Sequence, residues 1–118
     1  MMKHLKTYKI FESINLDLQD IFQEVSDRAI WVTKIWPDSQ SQKWCVLIER
    51  ADQWEETDDS PITPPPIITE SVKRAIDFMT EKGLPKHRIK FDDEKISLRK
   101  ISTLEFYPDS YIKLEFWD

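Results

Sequence analysis

Glycine, cysteine and long apolar runs are nearly absent from this chain. Gly83 is the only glycine among 118 residues, which argues against a glycine-rich phosphate loop and against tight turns that require positive φ. A single cysteine, Cys45, excludes an intramolecular disulfide framework and fits a reducing compartment. No apolar run approaches the length of a membrane span, and the N-terminus lacks the apolar segment of a signal peptide. We therefore expect a cytoplasmic protein with no membrane partner.

Residue types that bind metals or act as nucleophiles are also scarce. His4 and His87 are the only histidines, and neither lies near another histidine or near Cys45 in sequence, so no metal-ligand spacing exists. Cys45 lies in a segment of bulky residues, unlike the small-residue loop that a phosphate-binding cysteine enzyme needs. The sequence therefore predicts no cofactor, no metal site and no catalytic residues, which indicates a protein that is not an enzyme. A carboxylate-based enzyme is the weakest of the alternatives.

The material for a folded core is ample. Apolar residues make up 40% of the chain and aromatic residues 12%, unlike a disordered sequence. The length fits one domain. We expect a single α+β domain over residues 1–118, interrupted by an acidic, proline-rich loop at residues 51–67.

Apolar periodicity predicts two amphipathic helices. In residues 13–27 the apolar side chains recur at i, i+4, i+7, i+8 and i+11, which is one continuous helix face. A second helix is predicted over residues 69–82, with Thr69 as its N-cap and Gly83 as a left-handed C-terminal residue. The three prolines at residues 64–66 are expected to keep the preceding segment out of this helix.

Alternating and β-branched residues predict a mostly antiparallel sheet. Strong strands are expected at residues 28–36 and 43–50, joined by a hairpin loop at residues 37–42. Weaker strands are expected at residues 87–91 and 95–101, and a further β-hairpin turning at residues 107–110. If residues 8–11 form a strand, the first ninety residues read as a ferredoxin-like βαββαβ core with an added C-terminal β-hairpin.

Negative charge is concentrated in two blocks, although the whole chain carries only −5. The first block lies on the first predicted helix, where four acids form one stripe and no Lys or Arg lies between residues 10 and 27. The second block surrounds a tryptophan in the predicted loop, and its carboxylates have no Lys or Arg among residues 51–60. The helix acids are Asp17, Asp20, Glu24 and Asp27, and the loop residues are Asp52, Trp54, Glu55, Glu56, Asp58 and Asp59.

These ten residues are our candidate partner-binding site. Acidic blocks steer association with a positively charged partner, and Trp54 supplies an apolar anchor of the kind enriched at binding hot spots. An acidic, rigid, aromatic-rich protein without a catalytic constellation is what a protein inhibitor or immunity protein requires. The expected partner therefore has a basic surface, as on a toxin or a nucleic-acid-processing protein. A solvated helix face and a Trp54 folded onto the core are the plainer interpretations.

Two other functions can be considered at this point. In the first, the protein is a structural or assembly subunit or a homodimer, and the exposed aromatic residues form its interface. The candidates for that interface are Trp31, Trp36, Trp44 and Trp117. The second, nucleic-acid binding by a basic region around residues 86–90, is not expected, because the acidic blocks oppose it and no glycine-containing RNA-binding signature is present.

Overall fold

The computed structural model describes residues 13–28, 30–50 and 61–118. These residues form helices and a five-stranded antiparallel sheet, which confirms the α+β class. The predicted elements in residues 1–12 and the acidic loop at residues 51–60 lie outside the described residues. The elements are α1 (residues 13–21), α2 (Gln23–Ser26), β1 (Trp31–Asp38), β2 (Lys43–Arg50), α3 (Pro66–Glu81), β3 (Lys86–Phe91), β4 (Glu94–Ile96), a 3₁₀ helix (Leu98–Thr103) and β5 (Tyr111–Trp117).

The strands are arranged in the order β1-β2-β5-β3-β4. The last strand in sequence, β5, therefore lies at the centre and pairs with β2 on one side and β3 on the other. This order does not confirm the ferredoxin-like arrangement. The predicted C-terminal hairpin was wrong, because residues 104–106 do not form a strand beside β5. Instead, Phe106 makes an isolated antiparallel bridge with Ile62.

Both helical segments pack on the same face of the sheet. Ile14, Leu18, Phe22 and Val25 are buried with residues of α3 and with the strand residues that alternate toward the helices. The single helix expected over residues 13–27 is interrupted at Phe22, which separates α1 from α2. The amides on either side keep helical hydrogen bonds, since Phe22 N donates to Leu18 O and Ser26 N to Phe22 O. The apolar stripe therefore stays continuous across the break.

Helix α3 begins three residues earlier than predicted. Pro66 is its first residue and Pro65 its N-cap, so Thr69 lies inside the helix. A proline at the first helical position loses no hydrogen bond and is already set for helical φ, so the triple proline starts the helix. The predicted end is confirmed. Gly83 has a φ of 89°, and the amides of Gly83 and Leu84 donate to Thr80 O and Met79 O, the two bonds of a Schellman motif.

The β3–β4 turn contradicts the expectation that few glycines means few turns with positive φ. Asp92 and Asp93 have φ values of 49° and 71°, since aspartate adopts this conformation more readily than most residues. Side-chain bonds hold the turn. Asp92 accepts from Ser110 Oγ at 3.1 Å and from Tyr111 N at 3.0 Å, and Asp93 accepts from the Tyr111 hydroxyl at 2.6 Å. That last bond raises the pKa of Tyr111.

Candidate binding surfaces

The acidic row, defined as Asp17, Asp20, Glu24 and Asp27, lies on the outer side of α1 and α2. Asp20, Glu24 and Asp27 are exposed, and Asp17 is half-buried. Within the described residues no Lys or Arg forms an ion pair with these carboxylates. Asp27 accepts a hydrogen bond from Gln23 Nε2 at 2.8 Å. Among the described residues, the helix half of the predicted site is therefore a negative surface without a compensating cation.

An exposed leucine lies beside the acidic row and was missed in the sequence analysis. Leu16 is 62% exposed and precedes Asp20 by one helical turn. Single exposed apolar residues are common on protein surfaces. Leu16 is of interest only because it lies next to the acidic row, where it could make an apolar contact with a partner. The remaining predicted site residues, Asp52, Trp54, Glu55, Glu56, Asp58 and Asp59, lie outside the described residues.

The opposite side of the sheet carries the reverse charge. Side chains alternate along each strand, and the set that points away from the helices contains seven bases but only three acids. We call this surface the open face, because none of the described helices packs on it. Its bases are Lys34, Lys43, Lys86, Arg88, Lys90, Lys95 and Lys113, and its acids are Asp38, Glu49 and Glu115.

Four of these lysines lie in one line across the sheet, which we call the lysine row. The register places Lys34 opposite Leu47 and Leu47 opposite Lys113. Lys113 is directly opposite Lys90, and Lys90 directly opposite Lys95. With strands about 4.8 Å apart, the row is about 19 Å long. Like charges directly opposite one another destabilise a sheet, so this arrangement opposes folding.

One carboxylate compensates part of this positive charge. Glu115 is 7% exposed, and its oxygens lie 3.7 Å from Lys43 Nζ, 3.7 Å from Arg88 Nη1 and 3.6 Å from Lys90 Nζ. Glu115 Oε1 makes no hydrogen bond; it lies at ion-pair distance from Arg88 and Lys90, and Oε2 lies at ion-pair distance from Lys43. Three positive charges around one negative charge leave an excess at the centre of the open face.

Aromatic rings lie among these cations. Trp36 on β1 and Trp117 on β5 are partly exposed on the open face. Lys43 Nζ lies 4.8 Å and the Arg88 guanidinium carbon 5.2 Å from the centre of the Trp117 ring, which is cation–π geometry. By contrast, Trp31 and Trp44 are 2% and 3% exposed and belong to the core. The expectation that they contribute to an exposed aromatic interface was wrong, because their strand positions face the helices.

Possible metal-binding and carboxylate groups lie in the part of the chain that the structure describes. There, no three His, Cys, Asp or Glu side chains are close enough together to hold a metal ion. A groove of about 710 Å³ between the β1–β2 turn and the end of α3 contains the carboxylates of Asp38 and Asp118. The Ser41 hydroxyl bonds to Asp38 and lowers its pKa, which holds that carboxylate ionised within the turn.

None of the helices in the described ranges is long and apolar enough to cross a lipid bilayer.

Cys45 lies at the centre of the open face yet is only 1% exposed. Burial raises the pKa of its thiol, so the group stays protonated at neutral pH and is a poor nucleophile. We expect the folded protein to react with a thiol reagent slower than the denatured chain by a factor on the order of 10² or more. Labelling kinetics followed by absorbance will test this. A Ser39→Cys variant, with a thiol on the exposed turn, should gain one rapidly reacting group, whereas a fast Cys45 would contradict the burial.

Comparisons with protein-family models, with curated proteins and with solved structures each find no match to this chain. The two charged surfaces are therefore the basis for a functional proposal.

Proposed function

We propose that this protein is a cytoplasmic, non-enzymatic binder that forms a stoichiometric complex with a protein bearing a basic surface. In this proposal the protein acts like a protein inhibitor or an immunity protein. Its partner would be a toxin or a nucleic-acid-processing protein. The observation that carries it is the separation of charge between two sides of the fold. Three of the four acids in the acidic row are exposed, and the row has no ion-pair partner among the described residues, while seven bases lie together on the open face of the sheet.

Binding of a basic protein would stabilise the acidic row. Four carboxylates on neighbouring turns repel one another and weaken the helix slightly. A basic partner would relieve that repulsion and would be attracted over several ångströms during its approach. Leu16 supplies an apolar contact within the same surface. We propose that the acids of residues 52–59 also contact the partner, with Trp54 as a second apolar contact.

Charge reversal on the acidic row tests the proposal. The variant Asp20→Lys/Glu24→Lys/Asp27→Lys is expected to bind the partner at least about tenfold more weakly at low salt. The main cause is a slower association rate, so the difference should shrink as salt is added. The partner is first isolated by affinity copurification from the native host, and the rate constants are then measured by surface plasmon resonance. A parallel reversal of Glu55, Glu56, Asp58 and Asp59 tests the loop.

Helix α3 offers a matched control. Glu70, Asp77 and Glu81 are exposed on its outer side, and reversing these three changes the net charge by the same amount. This control should bind the partner nearly as well as the wild type. Equal losses in both variants would mean that overall charge, not the acidic row, determines binding. Unchanged affinity in the acidic-row variant would remove the row from the mechanism.

A further inference from the structure

We propose that the open face of the sheet binds a single-stranded nucleic acid. This site is independent of the acidic row, which lies on the helix side of the molecule. The net charge of −5 conceals the open face, because its seven bases are spread over all five strands and meet only in the folded sheet. The positive charge there exceeds what the three acids of the same surface can neutralise.

The lysine row has the features of a backbone-binding surface. Lys113, Lys90 and Lys95 are directly opposed across neighbouring strands, although like charges in these positions oppose folding. Lys34 continues the line on β1 and is paired with Glu49 at 3.0 Å. A chain of phosphates lying across the strands would neutralise the row, with the release of counterions as the driving force. The unfavourable placement therefore becomes favourable when a polyanion is bound.

The aromatic residues favour nucleic acid over other polyanions. Trp36 lies on the same face as the lysine row, two residues along β1 from Lys34. A partly exposed indole ring provides a stacking surface for an unpaired base. A polyphosphate has no aromatic group to place on that ring. A duplex keeps its bases stacked internally, so the single-stranded form is the one that can use the lysine row and Trp36 together.

Binding is to be measured by fluorescence anisotropy with a labelled oligothymidylate of about 12 nucleotides, a length within the site sizes of single-strand binding folds. Three or four phosphate contacts predict a slope of log affinity against log salt of about −2 to −3. The affinity should accordingly fall about 20- to 50-fold between 50 and 200 mM salt. Duplex DNA of the same length should bind more weakly. Absence of binding at 50 mM salt would overturn the proposal.

Two substitutions within the lysine row separate binding from folding. Lys90→Gln/Lys113→Gln removes two directly opposed charges, and the relief of their repulsion offsets the loss of the Lys90–Glu115 ion pair, so thermal stability should change little. Its oligothymidylate affinity should fall at least about tenfold at low salt, and the salt slope should become shallower by about 1.4. Lys73→Gln/Arg74→Gln is the matched control, because both residues are exposed on α3. Equal losses in the two variants would overturn the assignment to the open face.

Trp36 distinguishes nucleic acid from a general polyanion. Trp36→Leu is expected to weaken oligothymidylate binding about fivefold or more, and Trp36→Phe less, while neither changes the binding of inorganic polyphosphate. Equal effects on both ligands, or none on oligothymidylate, would show a non-specific anion surface and overturn the proposal. Salt-sensitive self-association that competes with the oligonucleotide would assign the face to a second copy of the chain instead. The acidic-row variant should bind oligothymidylate at least as well as the wild type, so the two proposals fail separately.

Discussion

Replacing Phe106 with alanine is expected to lower the free energy of unfolding by about 3–5 kcal/mol, the usual cost of deleting a fully buried aromatic ring. Phe106 is 0% exposed. Its ring meets those of Trp31 and Phe91 edge-on, with centroids 4.9 and 5.0 Å apart. The backbone of Phe106 exchanges two hydrogen bonds with Ile62, and its carbonyl also accepts from Arg50 Nη1 at 2.7 Å. Deleting the ring would leave a cavity among groups that this backbone holds in place.

Urea unfolding followed by tryptophan fluorescence will measure this change. Phe106→Leu keeps part of the side-chain volume, so it should lower the free energy of unfolding by only about 1–2 kcal/mol. This variant should remain folded and measurable even where Phe106→Ala does not fold. The neighbouring Tyr107 is 48% exposed, and Tyr107→Ala should change stability by less than about 0.5 kcal/mol. Similar losses at Phe106 and Tyr107 would contradict the packing described for this end of the core.

Replacing Glu115 with glutamine is expected to have two opposite effects. Stability should fall by about 2 kcal/mol, less than for a fully buried ion pair because the surrounding cations are partly solvated. The substitution leaves Lys43, Arg88 and Lys90 facing one another without the carboxylate between them. Added salt should restore part of the loss by screening their repulsion. At the same time, affinity for oligothymidylate should rise about 2- to 5-fold, since the open face gains one unit of positive charge.

The Glu49→Gln variant is the control for this experiment. Glu49 lies on the same face and pairs with Lys34 at 3.0 Å, but the two side chains are 34% and 60% exposed. An exposed pair of this kind contributes little, so the loss should stay below about 0.5–1 kcal/mol. Urea titrations at low and high salt measure both variants. If Glu115→Gln is no more destabilised than Glu49→Gln, the carboxylate does not hold the three cations together.

The secondary structure was predicted well where the residues that begin and end an element are recognisable in the sequence. Strand β2 has the predicted bounds because its apolar run is flanked by a polar turn and an acidic segment. Helix α3 ends just before Gly83 as expected, since the left-handed residue and Pro85 are both visible in sequence. The 3₁₀ helix at Leu98–Thr103 and the central place of β5 were missed, because both depend on contacts between residues distant along the chain.

The same distinction applies to the candidate surfaces. The acidic row could be predicted because helical periodicity alone places its four members on one side. The lysine row could not, since it needs the register of four strand pairs that the sequence does not specify. A shift of one residue in any pair would move its side chains to the opposite face. The basic residues near positions 86–90 are therefore recognisable in the sequence, whereas the continuation of the line through Lys34 and Lys113 is visible only in the folded sheet.

The central position of β5 has a consequence for synthesis on the ribosome. The hairpins β1–β2 and β3–β4 do not pair with each other and are joined only through β5. Because β5 is synthesised after the other four strands, the nascent chain must hold two separate hairpins with unpaired inner edges until this strand emerges. Such edges readily pair with other chains. Until β5 completes the sheet, these two inner edges are therefore the positions at which the chain can pair with another copy of itself.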